Sequence, residues 1–448
     1  MKCDGGASHP EVRRRILIVT HDFPPLNSSA SRRPFSWART WTDMGHEVHV
    51  LTTAKYPHDR LTDASQDMKG ISVHEVRYLP WLAPAGVKAA ATGLKPAPIA
   101  SREARRWFDL LRKVTRRVRL GLGLFTEKTT LAYLPMRRAG IRLLGTSRFD
   151  LIVSTSGPDV CPLVAGALAR ISGVFWLSDY RDLWFDEFAV NRYVATTWFV
   201  NRMQSRLLRR AGLVSTVSLG LAGYLERVVP GKVTISYNGY LEAPPPQPRA
   251  YPGAATVKIV YTGTFYPEKR DPAIFFDGVR ALLAEREELQ GRLRVDLYGP
   301  IEPWVAAQVR ERGLEAFITL RGSVAYEESL AAQGSANALL FVDWMDDRAE
   351  GVLTGKLFEY LACAAPILCI GTRGSTEAAG LISACGAGRV AVTPAQVRDA
   401  LLSLLSGGWP LVPDAVRIAQ FSRKAQAEAL LDQALTVAFG RDVHGTRI

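Results

Sequence analysis

Lys269, Arg270, Lys356 and Glu359 combine the charge and spacing needed to hold a phosphate ester beside a pair of hydroxyls. Lys356 and Glu359 lie in the stretch Thr354-Gly-Lys-Leu-Phe-Glu-Tyr-Leu-Ala362. The apolar positions Leu357, Phe358, Leu361 and Ala362 predict a helix that begins at the Thr354-Gly355 turn and stops before Pro366. A helix start offers unpaired backbone N–H groups and a positive dipole end, and Lys356 adds a full charge there. Glu359 follows three residues later, on nearly the same side. N–H groups for a diphosphate and an acid for ribose hydroxyls make a nucleotide site. The same residues also suit an ordinary helix with a solvated Lys and Glu, and spacing alone leaves both open. Thr262-Gly263-Thr264 is a second turn at a strand end, and Lys269 and Arg270 follow it closely enough to add charge to the same anion.

The first half carries another polar cluster. Val174–Ser178 reads as a strand, and it delivers Asp179-Tyr-Arg-Asp182 to its carboxyl end, where α/β sheets place their sites. Asp179, Arg181 and Asp182 are candidates for work on a substrate, although an Arg–Asp pair that only holds the loop is equally compatible. Near the N-terminus, Asn27-Ser-Ser-Ala-Ser31 is a loop of small residues holding Ser28 and Ser29. Arg32 and Arg33 stand where the next helix begins, placed to meet an anion. No Gly-x-Gly-x-x-Gly pattern is present, so a dinucleotide cofactor is not supported.

The elements that must position these residues read as two series of alternating strands and helices. In the first, strands at Arg15–Thr20, Val48–Thr52, Ile71–Val76, Phe149–Thr155, Val174–Ser178, Leu213–Val217 and from Val233 alternate with helical patterns. One such pattern runs through Phe35, Ala38, Trp41 and Met44. Pro244-Pro-Pro-Gln-Pro248 and Pro252-Gly253 mark a stiff linker. The second series has strands from Val257, Leu293, Ile318, Ala338 and Ile367, with later helices at 396–406 and 419–438. The expected division is residues 1–243, a Rossmann-like acceptor or membrane-side domain; 244–255, the linker; 256–418, a Rossmann-like nucleotide-sugar domain; and 419–448, a terminal helix and tail.

The chain has 448 residues, 47% hydrophobic and 22% charged, as soluble proteins do. Its net charge of +13 is uneven. Residues 1–250 hold 36 Lys/Arg against 20 Asp/Glu, whereas residues 251–448 hold 20 against 23. The first half is therefore the one expected to meet something anionic. Its most basic segment, Ser101–Leu120, predicts a helix with Trp107, Leu110, Leu111, Val114 and Val118 on one face. Arg105, Arg106, Arg112, Lys113 and Arg116 crowd the other. That is the pattern of a membrane-surface helix, each cation near anionic lipid being worth about 1 kcal/mol; a core-packed helix with a solvated outer face shows it too. Nucleic acid is not expected, because no aromatic-rich strand or nucleic-acid motif accompanies the basic run. The 5 cysteines are scattered and read as buried free thiols of a reducing compartment. No apolar leader precedes Ile16 and no membrane span is evident, so a cytoplasmic protein, peripheral on the inner membrane face, is expected.

Gly355-Lys-Leu-Phe-Glu-Tyr-Leu361, Asp179-Tyr-Arg-Asp182 and Gly263–Asp271, set in these two βα series with a Pro-rich linker, resemble the GT-B glycosyltransferases, specifically the family 4-like retaining enzymes. The resemblance covers most of the chain apart from 56–142. It implies an α/β fold of two Rossmann-like domains facing each other across a cleft, with a C-terminal helix crossing back to the first. The second domain would bind a nucleoside-diphosphate sugar, a co-substrate rather than a cofactor. Glu359 would take the ribose, Arg270 and Lys356 the diphosphate with Lys269 in support, and Gly263, Thr264, Thr354, Gly355 and Leu357 would shape the pocket. Ser28, Ser29 and Arg32 with the Asp179–Asp182 cluster would face the reacting sugar. The implied chemistry is transfer with retention and without a metal, to a lipid-linked or polysaccharide acceptor. In two places the chain departs from the family. Ser28-Ser29 stands where the family has Gly-Gly. Glu350 and Glu359 are separated by eight residues rather than seven, so Gly351–Thr354 would hold the donor mainly through backbone N–H groups. A catalytically degenerate binding protein and a GT-B sugar-nucleotide epimerase are the competing readings.

Overall fold

The computed structural model describes residues 12–26, 28–56, 66–79, 128–181, 202–241, 256–345, 351, 353–371, 375–409 and 411–440. Two compact units emerge. The first comprises residues 1–217, 221–236 and 427–448, and the second comprises 218–220 and 237–426. The second unit thus takes up the chain at Tyr237, earlier than the expected linker.

In the first unit, β1 (Arg15–Val19), β2 (Glu47–Thr53), β3 (Ile71–Val76), β4 (Leu151–Thr155), β5 (Phe175–Tyr180), β6 (Leu213–Thr216) and β7 (Val233–Ile235) form one parallel sheet in the order β3-β2-β1-β4-β5-β6-β7. Helices α1 (Ser29–Asp43), α2 (Tyr133–Thr146), α3 (Val160–Ser172) and α4 (Leu219–Val228) connect or flank them. A parallel sheet is covered on both faces, and the strand alternation shows it. Ile16 and Ile18 enter the core with Trp37 and Trp41 of α1, while Leu17 and Val19 enter the opposite core with α2 and α3.

Helix α1 begins earlier than the apolar periodicity indicates. Ser28 is its N-cap, accepting from the Ser31 N–H, and Ser31 returns the bond to the Ser28 N–H in a capping box. Ser28–Ser31, part of the run expected as a ligand loop, is therefore a helix start; Asn27 lies outside the described residues.

The second unit repeats the architecture. Strands β8 (Val257–Thr262), β9 (Leu293–Tyr298), β10 (Ile318–Gly322), β11 (Ala338–Val342), β12 (Ile367–Ile370) and β13 (Gly388–Ala391) pair in parallel in the order β10-β9-β8-β11-β12-β13. Helices α5 (Ala273–Glu285), α6 (Pro303–Glu311), α7 (Tyr326–Gly334), α8 (Gly355–Ala362), α9 (Glu377–Ala384) and α10 (Pro394–Gly407) flank this sheet. Along β11, Ala338, Leu340 and Val342 enter one core while Leu339 and Phe341 enter the other. Both sheets reverse direction of strand order beside their first strand, at β1/β4 and β8/β11, which is where such folds open a crevice for ligands.

The terminal segment, expected as one helix over 419–438, is two: α11 (Ala415–Ala419) and α12 (Arg423–Phe439). Between them Tyr240 bridges to Ser422, which interrupts the helical hydrogen bonding. From Ala427 onward α12 belongs to the first unit. Ala427, Leu430, Leu431, Ala434 and Leu435 recur at helical spacing against Trp37 and Trp41, and Trp41 Nε1 donates to the Ala427 carbonyl at 2.9 Å. Among the described residues, no helix is long and apolar enough to cross a membrane. Arg105, Arg106, Trp107, Arg112, Lys113 and Arg116 lie outside the described residues, as do Asp182, Glu350 and the linker at 244–255.

Candidate functional site

The second unit assembles its candidate site at the carboxyl ends of β8 and β11. Strand β8 ends at Thr262, and Gly263 turns away with its N–H on the Tyr298 carbonyl at 2.7 Å. Gly299 leaves β9 beside it. A Cβ on Gly299 would sit 1.7 Å from the Gly263 carbonyl oxygen at a φ of +139°, so only glycine lets the two strand ends abut. A Cβ on Gly263 would fall 2.8 Å from Lys356 Nζ. The bare backbone of Gly263 therefore makes the space into which the ammonium projects.

Lys356 comes from the first turn of α8. Its N-cap, Thr354, is extended, and the Thr354 hydroxyl makes no capping bond, which leaves the helix start open. Burial pulls the lysine down from 10.5 to about 8; Glu359 opposes that fall and Arg270 adds to it. Among the described residues Lys356 makes no ion pair. A partly buried ammonium that makes no ion pair among the described residues suits an arriving anion.

Glu359, one turn on, is held by two neighbours. Tyr326 donates to Oε1 at 3.3 Å, and Gln333 Nε2 reaches Oε2 at 3.4 Å. Gln333 is fully buried in α7 and also meets Thr262 Oγ1 at 3.2 Å. The Tyr360 hydroxyl accepts from the Thr262 N–H at 2.8 Å. Helices α7 and α8 are thereby pinned to the end of β8, which fixes where the Glu359 carboxylate stands.

The loop after Gly263 folds back as a tight turn, with the Arg270 N–H on the Tyr266 carbonyl at 2.8 Å and Glu268 at a φ of +62°. The Met345 N–H bonds the Lys269 carbonyl at 2.7 Å, so this turn is fastened to the end of β11. Trp344 is the platform between them. Lys269 Nζ lies 5.6 Å and Arg270 Cζ 5.4 Å from its ring centroid, within cation–π range. Arg270 Nε and Trp344 Nε1 are both buried and have no partner. Asp343 accepts from the Trp344 N–H and the Thr376 hydroxyl; burial raises its pKa, and those two bonds and the nearby Arg270 charge oppose the rise. Two orphaned donors beside one depressed lysine have the chemistry of a phosphate site. No group of residues able to hold a metal ion occurs among the described residues.

The sequence-expected residues of this unit thus come together: Gly263, Thr264, Lys269, Arg270, Thr354, Gly355, Lys356, Leu357 and Glu359 share two adjacent strand ends. Leu357 is fully buried and packs the core rather than facing the crevice. Tyr326, Gln333, Trp344 and Tyr360 were not singled out by sequence. Of these only Tyr360 carried a signal, as the neighbour of Glu359 in the helix that defined the site.

In the first unit Asp179 is not at a loop tip. It is the next-to-last residue of β5, wholly inaccessible, and both of its oxygens are taken. Arg33 grips them with Nη2 at 2.7 Å and Nε at 3.1 Å, while Ser215 Oγ donates at 2.8 Å and Thr155 Oγ1 at 3.0 Å. An acid so saturated holds β4, β5, β6 and α1 in register and is placed to position, not to take a proton. The arginine that finds the anion at the start of α1 is Arg33, and that anion is Asp179; Arg32 bonds the Ser28 carbonyl through its N–H. Arg181 donates to the Ser156 and Gly157 carbonyls at 2.8 and 3.1 Å and approaches Asp22 at 3.5 Å. It ties together the loops after β1 and β4, with Nε left buried and unbonded. Ser28 is engaged in capping.

Residues 30–239 match the model of the glycosyl transferase 4-like domain. No curated protein matches the chain by sequence. Solved structures resemble it in fold. HepE of Anabaena, crystallised in complex with UDP, is 12% identical with a TM-score of 0.54, covering 95% of this chain and 97% of its own. The apo form of the lipopolysaccharide outer core galactosyltransferase WaaB is 14% identical at 0.54, covering 94% and 99%. The N-terminal domain of trehalose-6-phosphate phosphatase from Candida albicans is 11% identical at 0.55, covering 98% and 99%.

Proposed function

We propose that this chain, a glycosyltransferase 4-like protein with the GT-B fold, moves a sugar from a nucleoside-diphosphate sugar to a lipid-linked or polysaccharide acceptor at the cytoplasmic membrane face. The observation that carries the reading is Lys356: a partly buried ammonium without an ion pair among the described residues, its pKa lowered to about 8, near Arg270 with its orphaned Nε. A donor diphosphate satisfies both at once. Lys356, Arg270 and the open start of α8 would stabilise the charge that grows on the departing diphosphate, the point at which such interactions accelerate transfer. Glu359, fixed by Tyr326 and Gln333, would accept from the ribose hydroxyls. With Asp179 sealed, no enzyme carboxylate in its position is offered as base or nucleophile. Attack by the acceptor hydroxyl on the face the diphosphate leaves, with the leaving phosphate taking the proton, gives retention. HepE was crystallised with UDP, which supports a uridine donor as the first to try.

The test is a panel of nucleoside-diphosphate sugars offered with and without a membrane extract. Release of nucleoside diphosphate that requires both donor and extract, and that Arg270→Ala abolishes, is the expected result. Turnover of a donor alone would replace transfer with epimerisation. Tight nucleotide binding with no turnover under any condition would make the chain a binding protein.

A further inference from the structure

The first unit carries a second cluster of cations that form no ion pair with a described residue, away from the loops gathered by Arg181. A cavity of about 620 Å³ lies between the carboxyl end of β3 and one face of α2, lined among others by His74, Glu75, Arg77, Arg138, Arg142 and Thr146. Helix α2 is two-faced for a clear reason. Met136 and Gly140 pack inward, Gly140 so closely that a Cβ there would meet Leu168 at 2.4 Å. Arg138, Arg142 and Thr146 follow one another at helical spacing along the groove. Arg138 and Arg142 stand one turn apart, so their charges repel. Neither they nor Arg77 forms an ion pair with any described residue.

The acids nearby do not neutralise the three. Among the described residues Glu75 is the one carboxylate in the lining. Glu47, two strand positions away along the histidine pair, is already spent: Arg15 Nε donates to it at 2.7 Å, and His49 meets it at 2.9 Å, while the other nitrogen of His49 faces His74 at 3.0 Å. The groove is left with three guanidinium forks against one acid. Guanidinium groups that line one exposed groove suit the oxygens of phosphate better than a lone carboxylate, because each fork can take two of them. Strand β3 is the sheet edge, four strands from β5, so the groove lies roughly 19 Å from Asp179 at ~4.8 Å per strand.

We propose that this groove is a second anion site, specific for a phosphate-bearing ligand and independent of the donor site in the second unit. The shared chemistry is a phosphate or diphosphate group seated between Arg77 on β3 and Arg138 and Arg142 on α2, with Thr146 and His74 as further hydrogen-bonding groups. Two sources present it: a soluble diphosphate and the headgroup of an anionic lipid.

The experiment uses the full chain carrying Arg270→Ala and Lys356→Ala, so that the donor site contributes nothing. Inorganic pyrophosphate is titrated by calorimetry in one arm. In the other, the protein is floated with phosphatidylglycerol or phosphatidylcholine vesicles at low and high salt. Adding Arg138→Ala and Arg142→Ala together is expected to weaken binding at least tenfold in one arm, with the melting temperature held. Loss in the pyrophosphate arm assigns a soluble ligand; loss of salt-sensitive phosphatidylglycerol binding assigns a headgroup. Arg77→Ala on the opposite wall gives a second, independent variant that must weaken the same arm. No binding in either arm before the arginines are removed, or binding that the arginine variants leave unchanged, overturns the proposal. Neither outcome touches the donor-site reading, which fails or stands on Arg270 and Lys356.

Discussion

Replacing Lys356 with methionine should make the protein more stable and unable to hold its donor. The buried ammonium ionises at about 8 where an exposed lysine ionises at 10.5. At neutral pH the fold therefore carries a cost of about 3 kcal/mol for keeping that charge, at ~1.4 kcal/mol per tenfold change in proton affinity. Methionine keeps the length of the stem and removes the charge. The attraction of Glu359 is already contained in that net figure, and the imperfect fit of methionine where an amine stood trims the expected gain to about 2 kcal/mol. That is a rise of roughly 5 °C in melting temperature for units of this size. The sign against pH follows from the folded lysine binding its proton less tightly than the unfolded one. Between pH 8 and 10.5 folding releases a proton, so wild-type stability climbs relative to the variant. The gap between the two is full below about 8 and closes toward 10.5. Donor binding runs the other way. A diphosphate needs the protonated form, so wild-type affinity for UDP should fall as pH rises above about 8, and the variant should show weak affinity without that slope. Urea unfolding at pH 7 and pH 9.5 beside UDP titrations at both values reads all four quantities. A variant that is less stable at pH 7, or that binds UDP as the wild type does, refutes the account of the site.

Arg270→Ala removes the orphaned Nε donor itself and the stack on Trp344, and should weaken UDP binding about a hundredfold, at 1.5–3 kcal/mol for a charged hydrogen bond, as measured by calorimetry. Glu359→Gln keeps one acceptor for Tyr326 or Gln333, turns the other oxygen into a donor and removes the charge. It should lower affinity for UDP more than for pyrophosphate, which has no ribose, and an equal loss for both would detach Glu359 from the hydroxyls. Asp179→Ala leaves the buried Arg33 without its carboxylate and should cost about 3–5 kcal/mol in denaturant unfolding, whereas Asp179→Leu combined with Arg33→Met should recover much of it. Gly299→Ala drives a Cβ into the Gly263 carbonyl and should cost more than ~1 kcal/mol, with a matching loss of donor affinity as the Gly263 turn shifts.

The fold was legible because both sheets are parallel and buried on two faces. Runs such as Ile16–Val19 and Ala338–Val342 are short, apolar and β-branched or Leu-rich, and their strands lie where that pattern ends. The failures are local and have physical causes. Ser28 reads as loop because a small polar residue is as good an N-cap as a ligand, and only the reciprocal bond with Ser31 separates the two. The terminal segment reads as one helix because apolar spacing continues across Gln420–Ser422, while the Tyr240 bridge that breaks it comes from far away in sequence. Asp179 reads as a reactive acid because its type and its place at a strand end fit one. Its partner Arg33 lies 146 residues earlier, beyond any local pattern. Gln333 gave no signal at all, since a glutamine in a polar helix acquires meaning only when α7 carries it against Thr262 and Glu359.

Arg33 and Arg270 show what the structure adds to a list of basic residues. Both follow small polar loops at the carboxyl ends of first strands, β1 and β8, and both stack on a tryptophan, Trp37 and Trp344. Their sequences treat them alike. Their hydrogen bonding does not. Arg33 spends its fork on Asp179 and on the Ser236 carbonyl, a closed set that gains nothing from a ligand. Arg270 forms no ion pair with a described residue and keeps a buried Nε unbonded, beside a lysine whose own pKa burial has pushed down. Burial without satisfaction costs stability, and a fold that carries such a cost at Lys356 and Arg270 recovers it when a diphosphate arrives. Cations that are buried and satisfied build the scaffold; cations that are buried and unsatisfied mark where the substrate completes it.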